Sequence, residues 1–208
     1  MGKLFGTDGI RGLANEYPIT CEMAMDIGRA VAHLFRAGTG RSKIVIGKDT
    51  RISGDMIEYA LVSGICSMGV DAVLTDVLPT PGIAYTTLSM GANAGIVISA
   101  SHNPFYDNGI KIFNQDGFKL SEKKEEEIEH IILNGKTASM CRSIRDTGRA
   151  YKIENAAKKY ADFLKFALAE GFSLNGMKIV IDCANGATYQ VAPELFKRLG
   201  ADVESIYT

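Results

Sequence analysis

Apolar positions fall at two spacings that alternate along this chain, and the alternation predicts its elements. After Pro18-Ile19, Thr20 can cap a helix that carries Glu22 and Asp26 early and Ile27, Val31, Leu34 and Phe35 on one face. Lys43 to Gly47 is a short continuous apolar run, the pattern of a buried strand. Ser53 is placed to cap a second helix, with Asp55 at its positive end. Ile57, Ala60, Leu61, Gly64, Ile65 and Met68 keep helical spacing there until Gly69 stops it. Asp71 to Leu78 reads as a strand, and Thr80-Pro81 opens a helix that Gly91 closes. Ala94 to Ser99 is apolar on both faces, as expected at the centre of a covered sheet. Gly109 to Phe113 is strand-like. Ser121 is placed to cap a helix that buries Ile128, Ile131 and Ile132, with Lys123 to Glu127 as its solvated side.

The pattern lapses between Lys136 and Tyr151, a polar stretch without a period that reads as a domain boundary. A helix follows with Tyr160, Phe163, Leu164, Ala167 and Leu168 on one face. Next come strand Lys178 to Asp182, a turn at Asn185-Gly186, a helix to Leu199 and strand Asp202 to Tyr207. Strands alternating with helices predict an α/β fold layered around largely parallel strands. The 208 residues, 46% hydrophobic, suffice for one core and part of a second. A first domain over residues 1–150 and an incomplete second over 151–208 are expected, so the sequence reads as part of a longer protein.

Composition narrows the partners. A net charge of −1 and a pI of 6.3 give no basic excess for nucleic acid. No apolar run reaches membrane-spanning length, so no membrane partner is expected. Met1 to Gly6 lacks the apolar stretch of a signal peptide, and Gly6 stands where myristoylation wants Ser or Thr. Cys21, Cys66, Cys141 and Cys183 form no C-x-x-C pair, and Cys66 and Cys183 sit in apolar runs as small core residues. A reduced, cytoplasmic setting fits them.

Ser99-Ala100-Ser101-His102-Asn103-Pro104 follows the most apolar strand, where α/β sheets place their ligands. Ser101 is thus either a hydroxyl presented at a crevice or one residue of a tight turn shaped by Asn103-Pro104. A hydrolase triad is less attractive. There is no G-x-S-x-G elbow, and His102 is awkwardly adjacent to the serine it would serve. Lys111 lies in or beside a strand. It is either solvated or faces the crevice, where a lysine can exchange a proton with a hydroxyl. Gly6-Thr7-Asp8-Gly9-Ile10-Arg11-Gly12 reads as a glycine-spaced loop whose Arg11 can fork onto phosphate oxygens, though it is no P-loop. Gly47-Lys48-Asp49-Thr50-Arg51 either adds positive charge or stabilises its own loop by an Asp-Arg contact.

Together these segments resemble the α-D-phosphohexomutase superfamily. Ser99 to Pro104 is similar to its phosphoserine loop, and Leu78-Pro79-Thr80-Pro81-Gly82 and Asp182-Cys183-Ala184-Asn185-Gly186-Ala187 also match. Phe5 to Gly12 and Ser99-Ala100-Ser101 look like the bacterial phosphoglucosamine mutase branch. The resemblance implies a layered α/β/α first domain with a mixed sheet and the beginning of a similar second domain. It implies interconversion of glucosamine 6-phosphate and glucosamine 1-phosphate through a phosphorylated Ser101 and a bisphosphorylated sugar, on the route to UDP-N-acetylglucosamine and the cell wall. Lys111 would be the general acid/base. His102, Asn103 and Arg11 would line the phosphoserine site, His102 counted with the catalytic set. Mg²⁺ would bind Ser101 through its phosphate, and a hexosamine or hexose 1,6-bisphosphate would serve as activator. The family's Asp-Gly-Asp-x-Asp-Arg metal loop, its sugar-recognition loop and its C-terminal phosphate loop are absent from these residues, so this piece is expected to be inactive alone. A phosphomannomutase/phosphoglucomutase, a non-catalytic sugar-phosphate binding module, a serine hydrolase and a homodimeric state stay open.

Overall fold

A computed structural model describes residues 4–38 and 40–208. Met1 to Lys3, part of the stretch weighed as a leader, and Thr39 lie outside them. The strands are β1 (Ile10–Leu13), β2 (Lys43–Lys48), β3 (Asp71–Val77), β4 (Ala94–Ile98), β5 (Asp107–Asn114), β6 (Ala150–Lys152), β7 (Lys178–Asp182) and β8 (Asp202–Ile206). The helices are α1 (Cys21–Phe35), α2 (Gly54–Ser67), α3 (Thr80–Ser89), α4 (Glu122–Leu133), α5 (Ala156–Phe166) and α6 (Val191–Arg198). One sheet has the order β1-β5-β4-β2-β3-β6 and a second pairs β7 with β8. β4, β2, β3 and β6 are parallel, while β5 runs antiparallel to both β1 and β4. The sheet is therefore mixed. The reversal arises because β5 follows β4 with no helix between them, and only a crossover returns a chain to the parallel direction.

Alternation along the central strands sets the layers. Ile44, Ile46, Ile96 and Ile98 join one buried cluster with Ile27 and Val31 of α1, Ile57 and Leu61 of α2, and Ile128 of α4. Val45, Val73 and Val97 point the other way into a cluster with Ile83 of α3 and Tyr160 and Ala161 of α5. Because side chains alternate with period 2, both faces of the sheet are covered. This is the α/β/α layering that the resemblance implied.

Several local expectations change. Thr20 does cap α1, accepting from the Met23 amide at 3.2 Å. Ser53 does not cap α2. Its backbone is already helical and its hydroxyl accepts from Asn108 Nδ2 at 2.8 Å. Ser121 precedes α4 in an extended conformation without a side-chain cap bond. The solvated side of α4 is incomplete, because Glu125 is buried and ion-paired with Lys119 at 3.3 Å. The opening loop is part strand: Ile10–Leu13 forms β1, paired residue for residue with β5. In the polar stretch after α4, β6 crosses the expected boundary at residue 150 and pairs with β3. Beyond it, α5 packs on α3 over the first sheet, with the Tyr85 ring of α3 4.1 Å from that of Phe163 and 5.8 Å from that of Tyr160. Among the described residues no helix is long and apolar enough to cross a membrane.

Candidate active site

The segment Ser99 to Tyr106 joins β4 to β5 at the end where β2 also finishes. Its start is fixed by the ladder: the Ser99 amide donates to the Gly109 carbonyl at 2.9 Å. Gly109 is required there. A Cβ would stand 2.8 Å from the Ser99 carbonyl oxygen and 3.0 Å from that of Ile10, so only glycine lets β1 and the loop approach together. Ser101 then adopts a left-handed backbone, φ 60°, and its amide donates to the Ser99 hydroxyl at 3.0 Å. Its own side chain is exposed, with Oγ 3.3 Å from His102 Nδ1. Among the described residues His102 has no further side-chain hydrogen bond, so the orienting carboxylate of a hydrolase triad is missing.

Arg11, placed by β1, reaches this loop. Its guanidinium donates to the Ala100 carbonyl and to Asn103 Oδ1, each at 3.3 Å, and pairs with Asp8. Asn103 completes a local network by donating to Asp107 Oδ2 at 2.9 Å. Lys111, on β5, places Nζ 2.8 Å from the same Asp8 carboxylate. Partial burial pushes the Asp8 carboxyl up, but Lys111 and Arg11 outweigh it and hold the group below the ordinary carboxylate range. The structure thus brings Ser101, His102, Asn103 and Arg11 together directly and joins Lys111 to them through Asp8. Leu4, Gly6, Thr7, Asp8, Gly9 and Arg11 line an open cleft of about 530 Å³ beside these charges.

Two features at this sheet end were not read from the sequence. Arg51, beyond β2, is half-buried and bonds the Ser101 loop through its backbone carbonyls. Its Asp49 contact was one of two readings left open, but the reach to the loop 50 residues away carried no local signal. The second feature is Lys48, buried at the end of β2, with Nζ 2.6 Å from Asp55 and in contact with Glu58. Burial lifts the Glu58 carboxyl above the usual range; Lys48 opposes this, and Asp76 and Asp55 add to the rise. One Glu58 oxygen, Oε1, is buried with no hydrogen-bond partner among the described residues.

A metal site is not complete in these residues. Among those described, no three His, Cys, Asp or Glu side chains converge on a point that could hold an ion. The expected Mg²⁺ therefore finds no carboxylate set here.

Comparison with known proteins agrees with this architecture. Residues 2–139 match the family model for phosphoglucomutase/phosphomannomutase, alpha/beta/alpha domain I. The chain is 60% identical over 207 residues to a phosphoglucosamine mutase from Syntrophus aciditrophicus, covering 100% of this chain and 46% of the relative. It is also 60% identical over 206 residues to one from Geotalea daltonii, of which it covers 45%. The chain thus spans under half the length of the curated relatives it matches. A crystal structure of a phosphoglucomutase/phosphomannomutase family protein from Burkholderia thailandensis superposes with a TM-score of 0.78 at 26% identity, covering 98% of this chain and 43% of that one. Fold, loop and sequence agree over most of the chain's length, and they make it a member of the phosphoglucomutase/phosphomannomutase family.

Proposed function

We propose that the protein containing this chain is a phosphoglucosamine mutase in which Ser101 carries the phosphoryl group. The observation that carries the proposal is the Ser101 loop itself, an exposed hydroxyl on a strained turn at the carboxyl end of the parallel strands of a mixed sheet, flanked by Arg11. The 60% identity to proteins named phosphoglucosamine mutase supports the choice of sugar.

In the forward half-reaction the phosphoserine Oγ–P bond breaks and a sugar hydroxyl oxygen bonds to phosphorus, giving a bisphosphorylated sugar. Lys111, as the neutral amine, takes the hydroxyl proton, and Ser101 Oγ keeps the electron pair of the broken bond. In the return half-reaction Ser101 Oγ takes the other phosphoryl group, and Lys111 gives the proton back to the sugar oxygen released. Such transfers depend on positioning and on cations that offset the charge of the moving group. Arg11 supplies one, and its link through Asp8 fixes Lys111 in register with it. His102, beside Oγ, completes the catalytic set, and Asn103 binds phosphate. Mg²⁺, when bound to the phosphate on Ser101, would neutralise charge; its protein ligands are assigned to the part of the relatives' length outside this chain. Residues 1–150 are assigned to the first domain and 151–208 to part of a second, in a cytoplasmic protein.

The test is peptide mass analysis of the full-length protein for phosphate on Ser101, before and after incubation with a hexose 1,6-bisphosphate. Phosphate at Ser101, and loss of turnover in Ser101→Ala, are expected. A serine left unmodified by the bisphosphate would overturn the reading. Comparing turnover of glucosamine, glucose and mannose phosphates separates it from phosphomannomutase/phosphoglucomutase activity.

A further inference from the structure

We propose that Arg51 is the positioning residue for the phosphoryl-carrying serine, locking the left-handed turn that presents Ser101 without touching phosphate itself. The inference rests on the assignment of Ser101 as carrier. A guanidinium has five N–H donors, and in Arg51 each has an acceptor. Nε donates to Asp49 Oδ2 at 3.0 Å. One terminal nitrogen donates to the carbonyls of Pro104 at 2.5 Å and Asp107 at 3.0 Å. The other donates to the carbonyls of Ser101 at 3.0 Å and Asn103 at 2.8 Å. No donor is left for a phosphate oxygen. The side chain is only 9% exposed, and its bonds to Asp49, Asp107 and Asn103 are shielded in part from water.

The geometry explains how Ser101 keeps a backbone conformation that L-residues avoid. The left-handed region is strained for a non-glycine residue of this kind and persists where the surroundings impose it. Here the amide of Ser101 is held by Ser99 and its carbonyl by Arg51, so both peptide planes flanking φ and ψ are fixed. The three further carbonyls extend the hold across the loop to the first residue of β5. Asp49 plays the orienting part for Arg51, accepting from the Arg51 amide as well as from Nε, both at 3.0 Å. A lysine has the charge but not the planar fork, and reaches one or two of these carbonyls at most.

The experiment uses the full-length protein with Arg51→Lys and Arg51→Ala. In Arg51→Lys, kcat should fall about 100-fold, the scale for a reacting group misplaced by about 1 Å, with KM nearly unchanged. Hydrogen exchange of the 101–107 amides should quicken several-fold while β2 and β4 stay protected. Dilute guanidinium should restore part of the activity of Arg51→Ala. Wild-type kcat in Arg51→Lys overturns the proposal. So does a fall in kcat with unchanged loop exchange, which would mean a direct contact with the reacting phosphate. A rise in exchange throughout the sheet also overturns it, as a merely structural role. If the wild type carries no phosphate on Ser101, the mutase reading fails, and loop exchange in Arg51→Lys still decides whether Arg51 holds the turn.

Discussion

Replacing Lys48 by Met should make the stability of this protein fall more steeply with rising pH than that of the native protein, in which Glu58 is already raised. Met keeps most of the Lys48 stem, so packing changes little. The charge is what is lost. Glu58 then remains at 5% side-chain exposure without a cation, whereas Asp55, at 68%, is solvated and loses little. Removing one partner of a buried pair costs about 3–5 kcal/mol, and the exposed half of the contact adds at most about 1 kcal/mol. Glu58 can escape part of the cost by binding a proton, because burial already raises its carboxyl and loss of Lys48 raises it further. The folded state then holds a proton that the unfolded chain releases near its ordinary value of about 4.3. Above that value the native state binds more protons, so stability falls as pH rises until the raised folded value is passed. The expected loss is about 3 kcal/mol at pH 8 and about 1 kcal/mol or less at pH 5. Urea unfolding of both proteins at the two pH values measures it, with Lys48→Met combined with Glu58→Gln as the variant that should lose the pH dependence. Equal losses at the two pH values, or a loss below about 0.5 kcal/mol at pH 8, would refute the reasoning.

Three further outcomes follow from the geometry. Gly109→Ala should cost about 1–3 kcal/mol in thermal unfolding, since its Cβ meets backbone oxygens of Ser99 and Ile10 that cannot swing aside; a neutral result would mean that β1 can retreat. Asp8→Asn should remove a contribution that is present above the ordinary carboxylate range and is lost as pH falls through the lowered folded value. Asp8 is half exposed, so the effect is below about 1 kcal/mol, read as a wild-type minus variant difference in urea midpoint that closes on acidification. Tyr160→Ala empties a site buried to 6% exposure between α5 and the first sheet. It should cost about 3 kcal/mol or more and open the link before α5 to limited proteolysis.

What could be read in the sequence was what local spacing encodes. The faces of α1 and α2 and the doubly covered strand β4 each repeat within one element, and the Ser101 loop announces itself by its place after β4. What escaped depends on partners far along the chain. β1 has four residues, two of them Arg11 and Gly12, and becomes a strand only because β5 offers it a ladder about 100 residues later. Ser53 looks like a cap, yet Asn108 competes for its hydroxyl. Glu125 sits in a run of charge that reads as solvated until Lys119 folds back over it. Arg51 is the sharpest case. Its Asp49 contact is local and was weighed, but the carbonyls it gathers belong to another connection of the sheet.

The reversal of β5 has a consequence for the order in which this end of the protein assembles. β4, the Ser101 loop and β5 form a contiguous hairpin, whose closure costs little chain entropy and needs no distant partner. Arg51 must arrive across about 50 residues, and only after β2 has docked beside β4. Pulse-labelling during refolding should therefore protect the β4–β5 amides before those of the loop between them. The chain builds the ribbon that bears its serine early, and acquires the serine's working shape only when the rest of the sheet has closed around it.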